Sequence, residues 1–231
     1  MDNRCVVVYD SGAGGLGVVK RLTEEYPSEN IYFFTDRENL PYGEKTREEL
    51  LEIAERNLSS VMTFCPKLIV FACNTLSTAV LNNFSHFTVP VYGILPFVPE
   101  NLKTLLICTP STAESAYVRN LKKANPKLVV YGAEGLAERV EDWVRGGEKP
   151  DVKEIAKKTG INFDAVSLGC THYSHLKEDF AKIFPLSQIV DGSNKLFSQI
   201  QGALTTFPHF PQKGCVYLKD EGYKGWFLKN K

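Results

Sequence analysis

The chain has 231 residues, 43% of them hydrophobic and 23% charged, which suits a globular α/β protein long enough to bury one large core or two small ones. Lys plus Arg and Asp plus Glu each number 27, for a formal net charge of zero, so nothing points to a nucleic-acid or membrane-surface partner. No apolar run approaches a membrane span, and the N-terminus passes into a strand-like run without signal-peptide architecture, so a cytoplasmic protein is expected.

Taken in chain order, short apolar runs alternate with amphipathic ones. Residues 5–10 (CVVVYD) read as a buried strand, followed by the Gly-rich SGAGGLG and a helix to about Tyr26. A second strand, 30–36, leads into the polar loop RENLPYGEKT. Residues 47–64 read as a long helix with Leu50, Ile53, Ala54, Leu58 and Val61 at helical spacing. A third strand, 67–72, precedes a helix opened by CNT, and 89–94 is a fourth. This order predicts a parallel sheet with right-handed crossovers. The pattern then restarts. Strands are expected over 103–109, 127–133, 163–169 and 188–192. The intervening helices are STAESAYVRNLKKA, AERVEDWVR, a turn or two around 151–158, and one beginning at CTHYSHL. The C-terminal GCVYLKDEGYKGWFLKNK reads as one more strand and a closing helix. The expected fold is therefore α/β, with two similar halves facing each other across a cleft.

The six cysteines, Cys5, Cys65, Cys73, Cys108, Cys170 and Cys215, form no CxxC pair, which favours a reducing compartment over a disulfide scaffold. Cys5, Cys65, Cys108 and Cys215 lie in or beside apolar runs and turns and are read as small buried hydrophobes.

Cys73 and Cys170 differ from the rest. In parallel sheets, ligands bind beyond the carboxyl ends of the strands. The polar groups expected there are Asp10-Ser11, Pro41-Tyr42-Gly43, Cys73-Asn74-Thr75, 109–112, Cys170-Thr171-His172 and Asp191. Each of the two cysteines follows a strand and opens a helix, a position whose dipole is expected to lower a thiol pKa. The adjacent Asn, Thr and His groups and free N–H groups could hold a carboxylate there. A single Cys-Asn-Thr is as well explained as a helix cap, but a pair, one per half, is not. A cleft with one ionisable thiol on each wall can remove a proton from one face of a carbon and return one to the other. Asp10 and His172 are the titratable groups placed to exchange protons with the thiols.

Asp10-Ser11-Gly12-Ala13-Gly14-Gly15-Leu16, Pro41-Tyr42-Gly43, Ala72-Cys73-Asn74-Thr75 and Leu168-Gly169-Cys170-Thr171-His172-Tyr173 closely resemble the motifs of bacterial glutamate racemase, in order and at compatible spacing from about Val6 to Asp191. The resemblance implies two Rossmann-like domains, here 1–94 plus 196–231 and 95–195, around a closed active site. It implies cofactor-independent interconversion of L- and D-glutamate, supplying D-glutamate for peptidoglycan, with no metal. By motif match, Cys73 and Cys170 are the acid–base pair, with Asp10 beside Cys73 and His172 beside Cys170. Ser11, Asn74, Thr75 and Thr171 match residues holding the α-amino and α-carboxylate groups. Pro41, Tyr42 and Gly43 match the loop that receives the side-chain carboxylate, and Thr112 a binding threonine of the second domain. The partner implied is a small amino acid; dimers are common in the family, though no interface signal is visible here.

The sequence departs from the family pattern at Leu76, at Ser174-His175, at Asp191-Gly192-Ser193, and at Gly132-Ala133-Glu134-Gly135-Leu136, where a Cys-Pro-rich segment is usual. Glu141 aligns with an acidic residue that follows that segment. Other readings compete. The run Gly12 to Gly17 satisfies GxGxxG, with Asp36 ending the next strand, as in a dinucleotide-binding domain. Cys170, His172 and His175 are close enough in sequence to suggest a metal, though residues two apart on a helix do not converge. A non-catalytic amino-acid-binding protein would keep the polar residues but has no need of two thiols. Aspartate racemase, or another member of the same superfamily, is the nearest enzymatic alternative.

Overall fold

A computed structural model describes residues 4–85, 87–204 and 214–229. Two parallel sheets carry the molecule. The first contains β1 (Val6–Asp10), β2 (Ile31–Thr35), β3 (Leu68–Phe71) and β4 (Val91–Gly93). The second contains β5 (Thr104–Cys108), β6 (Val129–Gly132), β7 (Ala165–Gly169) and β8 (Gln188–Asp191). A last strand, β9 (Val216–Leu218), returns to the first sheet and pairs in parallel with β2, with Ile31 opposite Val216. The strand orders are β4-β3-β1-β2-β9 and β6-β5-β7-β8.

Between the strands run α1 (Leu16–Glu25), α2 (Arg47–Met62), α3 (Asn74–Val80), α4 (Pro110–Glu114), α5 (Ala116–Ala124), α6 (Leu136–Val144), α7 (Lys153–Thr159), α8 (Lys177–Ile183), α9 (Ser193–Leu204) and, after β9, α10 (Lys224–Lys229). The apolar runs are continuous because both sheet faces are covered. Along β1, Val6 and Val8 point to one core with Leu16, Val19 and Leu22 of α1. Val7 and Tyr9 point to the other, with Leu50, Ile53 and Leu58 of α2. Leu105 and Ile107 of β5 join the same core as Val6 and Val8, so apolar packing runs unbroken from one sheet to the other. Each such side chain contributes roughly 1.5–3 kcal/mol on burial.

Two helices differ from expectation. The helix after β5 is broken at Ser115, whose backbone is extended and whose hydroxyl accepts from Val118 N at 3.2 Å to cap α5. A serine that can hydrogen-bond its neighbours' backbone competes with helix continuation. Cys170 opens not an α-helix but a 3₁₀ turn, Thr171–Leu176, with α8 starting only at Lys177. The turn's tighter winding accompanies tertiary bonds from its side chains: Thr171 donates to Asp10 and Tyr173 to the Ala133 carbonyl. The reading of four cysteines as buried holds for Cys108; Cys5 is half-buried, and Cys65 and Cys215 are exposed. Cys5 and Cys215 sit just before their strands, and Cys65 occupies a turn at φ 48°, all outside the covered parts of the sheets.

Candidate active site

In each sheet the chain moves first to one side of its opening strand and then to the other. The switch points fall between β1 and β3 and between β5 and β7, where crevices open at the carboxyl ends. Asp10 ends β1, Cys73 follows β3, Thr109 follows β5 and Cys170 follows β7. The two crevices face one another and border a cavity of about 270 Å³. Ser11, Pro41, Tyr42, Gly43, Cys73, Thr75, Cys170 and His172 line it. Asp10, Asn74, Thr112 and Thr171 stand outside that lining: Asp10 bonds Ser11 and Thr112 bonds Thr75, while Thr171 bonds Asp10 and Asn74 the Ile94 carbonyl.

On the first wall, Cys73 Sγ lies 3.8 Å from Ser11 Oγ, and Ser11 Oγ donates to Asp10 Oδ1 at 3.1 Å. Asp10 therefore reaches Cys73 through a hydroxyl. Its carboxylate also accepts from Gly12 N at 3.2 Å and from Thr171 Oγ1, in the opposite sheet's turn, at 3.1 Å. Asp10 is fully buried, and burial pushes its carboxyl up to about 6 against the pull of the His172 charge and of these donors. Burial, and then the Asp10 charge, push the Cys73 thiol well above its usual value. The expected lowering by a helix N-terminus is thus corrected. The dipole of a helix of 7 residues is outweighed by loss of water and by a facing carboxylate.

On the second wall, Cys170 Sγ lies 3.9 Å from His172 Nδ1, and His172 Nε2 lies 3.0 Å from Glu141 Oε2. Burial disfavours a charged ring here, but the bonds to Cys170 and Glu141 outweigh it and hold the imidazole well above its usual value. Glu141 is likewise buried. The donors His172, Tyr223 and Ala13 N overcome that burial and hold its carboxyl down to about 2. Near neutral pH the wall therefore carries an imidazolium–carboxylate pair whose free N–H faces the sulfur.

The Gly-rich loop serves this pair. Ala13 N donates to Glu141 Oε2 at 2.7 Å, so the anion at the loop is a side chain of the protein itself. A Cβ on Gly12 would meet that carboxylate oxygen at 2.4 Å, and one on Gly14 would meet Thr171 Oγ1 at 2.5 Å. The glycines permit close approach of the second sheet's turn, in the place where a dinucleotide fold would seat a pyrophosphate. Asp36, the acid of that alternative reading, accepts from Tyr42 Oη at 2.7 Å and from the Asn39 and Asn57 amides. His175 is drawn from Cys170 and His172 to the Ala13 carbonyl, 3.1 Å away. Among the described residues no three His, Cys, Asp or Glu side chains converge as a metal set.

The remaining predicted residues join the walls or shape the loop. The hydroxyls of Thr75, Thr109 and Thr112 form a closed ring of 2.9, 3.0 and 3.2 Å contacts, linking α3 to α4 across the cleft. Tyr42 turns its ring into the core shared by Tyr9 and α2, where its hydroxyl meets Tyr9 Oη at 2.7 Å. Asn74 donates to the Ile94 carbonyl at 3.4 Å, and its buried Oδ1 has no partner among the described residues. Sequence reasoning gave no role to Arg37, Glu138, Asp142 and Arg145, which also line the cavity. It missed Tyr223 entirely, since nothing local marks a tyrosine 82 residues from its partner Glu141.

Paired parallel sheets with facing switch points, each followed by a thiol at the rim of one cavity, define a two-domain α/β protein with a cleft between its sheets. No family model matches the chain. It is 30% identical over 224 residues to the glutamate racemase of Campylobacter curvus, covering 84% of this chain and 82% of that protein. The solved glutamate racemase of Francisella tularensis in complex with D-glutamate superposes with a TM-score of 0.77 at 28% identity, covering 99% of this chain and 95% of that one. The Escherichia coli glutamate racemase structure shares the fold at a TM-score of 0.85 and 23% identity, over 98% and 95% of the two chains. The chain belongs to the glutamate racemase family.

Proposed function

We propose that this protein interconverts L- and D-glutamate by a two-thiol mechanism, with D-glutamate for peptidoglycan as its product in use. The observation that carries this reading is the pair Cys73 and Cys170 on opposite walls of one cavity, each with a separate proton partner. The substrate's Cα lies between them. The thiolate of one cysteine takes the α-proton, leaving a planar carbanion delocalised into the α-carboxylate. The thiol of the other delivers a proton to the opposite face, and the inverted amino acid leaves. One S–H forms and one is lost, so a turnover ends with the protons interchanged between the walls. Asp10, held near 6, takes or returns a proton at Cys73 through Ser11; at Cys170, His172 Nδ1–H gives its proton to the thiolate, and the bare Nδ1 takes it back from the thiol. General acid–base help of this kind supplies roughly 10²–10⁴-fold.

The roles of Ser11, Asn74, Thr75 and Thr171 as holders of the α-amino and α-carboxylate groups are supported by their places at the switch points. A distal carboxylate at the Pro41-Tyr42-Gly43 backbone is supported by that loop's place in the cavity lining. A domain division of 1–94 plus 196–231 against 95–195 puts one thiol on each domain; the pairing of β9 with β2 supports it. The test is a circular-dichroism racemisation assay with each enantiomer of glutamate and aspartate and no added cofactor. Turnover of both glutamate enantiomers with the larger kcat/KM is expected. No racemisation, or a preference for aspartate, overturns the assignment.

A further inference from the structure

We infer that Tyr223, from the C-terminal segment, is a positioning residue for the Cys170 wall; the inference deepens the proposed reaction and rests on it for its kinetic consequence. Tyr223 ends the 3₁₀ turn Glu221–Tyr223 that follows β9, a strand of the first sheet. It is fully buried, and its hydroxyl donates to Glu141 Oε1 at 2.6 Å. Glu141 belongs to α6, packed with the second sheet, and its other oxygen is shared by Ala13 N and His172 Nε2. Among the described residues the phenol is thus the one partner of Oε1. It closes a line of contacts from Tyr223 through Glu141 and His172 to Cys170.

The surroundings are built to keep the phenol there. Asp220 pairs with Arg145 at the end of α6 at 2.9 Å, and with Arg37 after β2 at 3.6 Å. The Arg145 guanidinium lies 5.0 Å from the centre of the Tyr223 ring. A Cβ on Gly222 would meet Arg145 Nη2 at 2.5 Å, so the turn lies directly on the arginine. Burial and the Glu141 charge push the phenol's own ionisation far up, which keeps it a donor throughout the working range. The C-terminal segment therefore reaches from the first sheet to the histidine partner of the second. A carboxylate with two fixed oxygens holds the imidazole ring in one plane and aims its other N–H at sulfur. Without the phenol, Oε1 is free to turn and more negative charge falls on the oxygen facing His172. The imidazolium then gives up its proton less readily and is less well aimed.

The test is Tyr223→Phe, which keeps the ring against Arg145 and removes one oxygen. A hydrogen bond to a charged group is worth about 10- to 100-fold. We expect kcat for glutamate to fall by about tenfold or more with KM changed little. With α-deuterated substrates, the isotope effect should rise for the enantiomer deprotonated by Cys170 and fall for the other, because only one of the two proton transfers is slowed. The His172 ring, followed by ¹⁵N NMR, should titrate at higher pH than in the wild type. Tyr217→Phe, an exposed ring on the same segment, should change none of these. Equal losses with unsplit isotope effects and an unmoved His172 titration would show a merely structural tyrosine and overturn the inference. If the wild-type protein does not racemise glutamate, the proposed function fails, while the His172 titration still decides whether Tyr223 acts through Glu141.

Discussion

The two walls of the cavity solve the same problem with opposite charge. Beside Cys73 stands a carboxyl that burial has made reluctant to ionise, reached through a hydroxyl. Beside Cys170 stands an imidazole made reluctant to lose its proton, anchored by a carboxylate held near 2. The first wall lowers the cost of keeping a proton, whereas the second offers a counter-charge to a thiolate. Symmetry of fold, with both thiols at switch points, thus coexists with asymmetry of chemistry. A buried acid group is neutralised unless donors and charges outweigh its desolvation. Three donors converge on each carboxylate, and at Glu141 one of the three is an imidazolium.

The largest expected effect comes from the thiols themselves. Cys73→Ala and Cys170→Ala should each lower racemisation by at least about 10³-fold, with melting temperatures near the wild type, since loss of one sulfur costs about 1 kcal/mol. Near-normal turnover by either variant, free of wild-type contamination, removes that residue from the mechanism and the comparison with it. Next is the fate of the proton. In D₂O, deuterium should appear at Cα of the newly formed enantiomer while early recovered substrate stays protiated. Equal early labelling of both pools, read by mass spectrometry on separated enantiomers, contradicts two independent thiols.

Breaking the second wall's pair should harm both activity and stability. Glu141→Gln leaves a buried imidazole without its counter-charge and should cost about 3 kcal/mol at neutral pH, along with about a hundredfold in kcat. A carboxylate lowered in the fold contributes stability above its unfolded value of 4.5 that is lost as pH falls through about 2. The difference between wild type and variant in urea melts should therefore shrink below pH 4. An unchanged midpoint at pH 7 counts against the pair.

The first wall should answer in the other direction. Asp10 is raised in the fold, so its contribution is full below its unfolded value and is lost as pH rises through about 6. Asp10→Asn should thus be more stable than the wild type at pH 7.5, by roughly 2 kcal/mol, and closer to it at pH 4, while losing activity. A variant less stable at both pH values means that the bonds from Ser11, Gly12 and Thr171 outweigh desolvation, and the contrast between the walls disappears.

Much of this protein was legible in the linear chain, because the relevant signals are local. Apolar runs set the strands, and a polar residue directly after a run lands at a sheet's carboxyl edge whatever the rest of the chain does. Asp10, Cys73 and Cys170 follow such runs, and the pattern restarts after residue 94. The motifs implied the pairing of Asp10 with Cys73 and of His172 with Cys170, but the partners of Glu141 were not legible, because they lie on distant segments. Glu141 meets Ala13 across 128 residues and Tyr223 across 82. The GxGxxG run was ambiguous until the second sheet's turn was seen packed on it. The helix expected at Cys170 became a 3₁₀ turn whose side chains bond outward to Asp10 and Ala133. The thiol expected to be acidic at Cys73 was raised instead. Propensity and motif report what a segment can do alone. Ionisation depends on how much water is excluded and which charges arrive, and both are decided only when the two sheets close on each other.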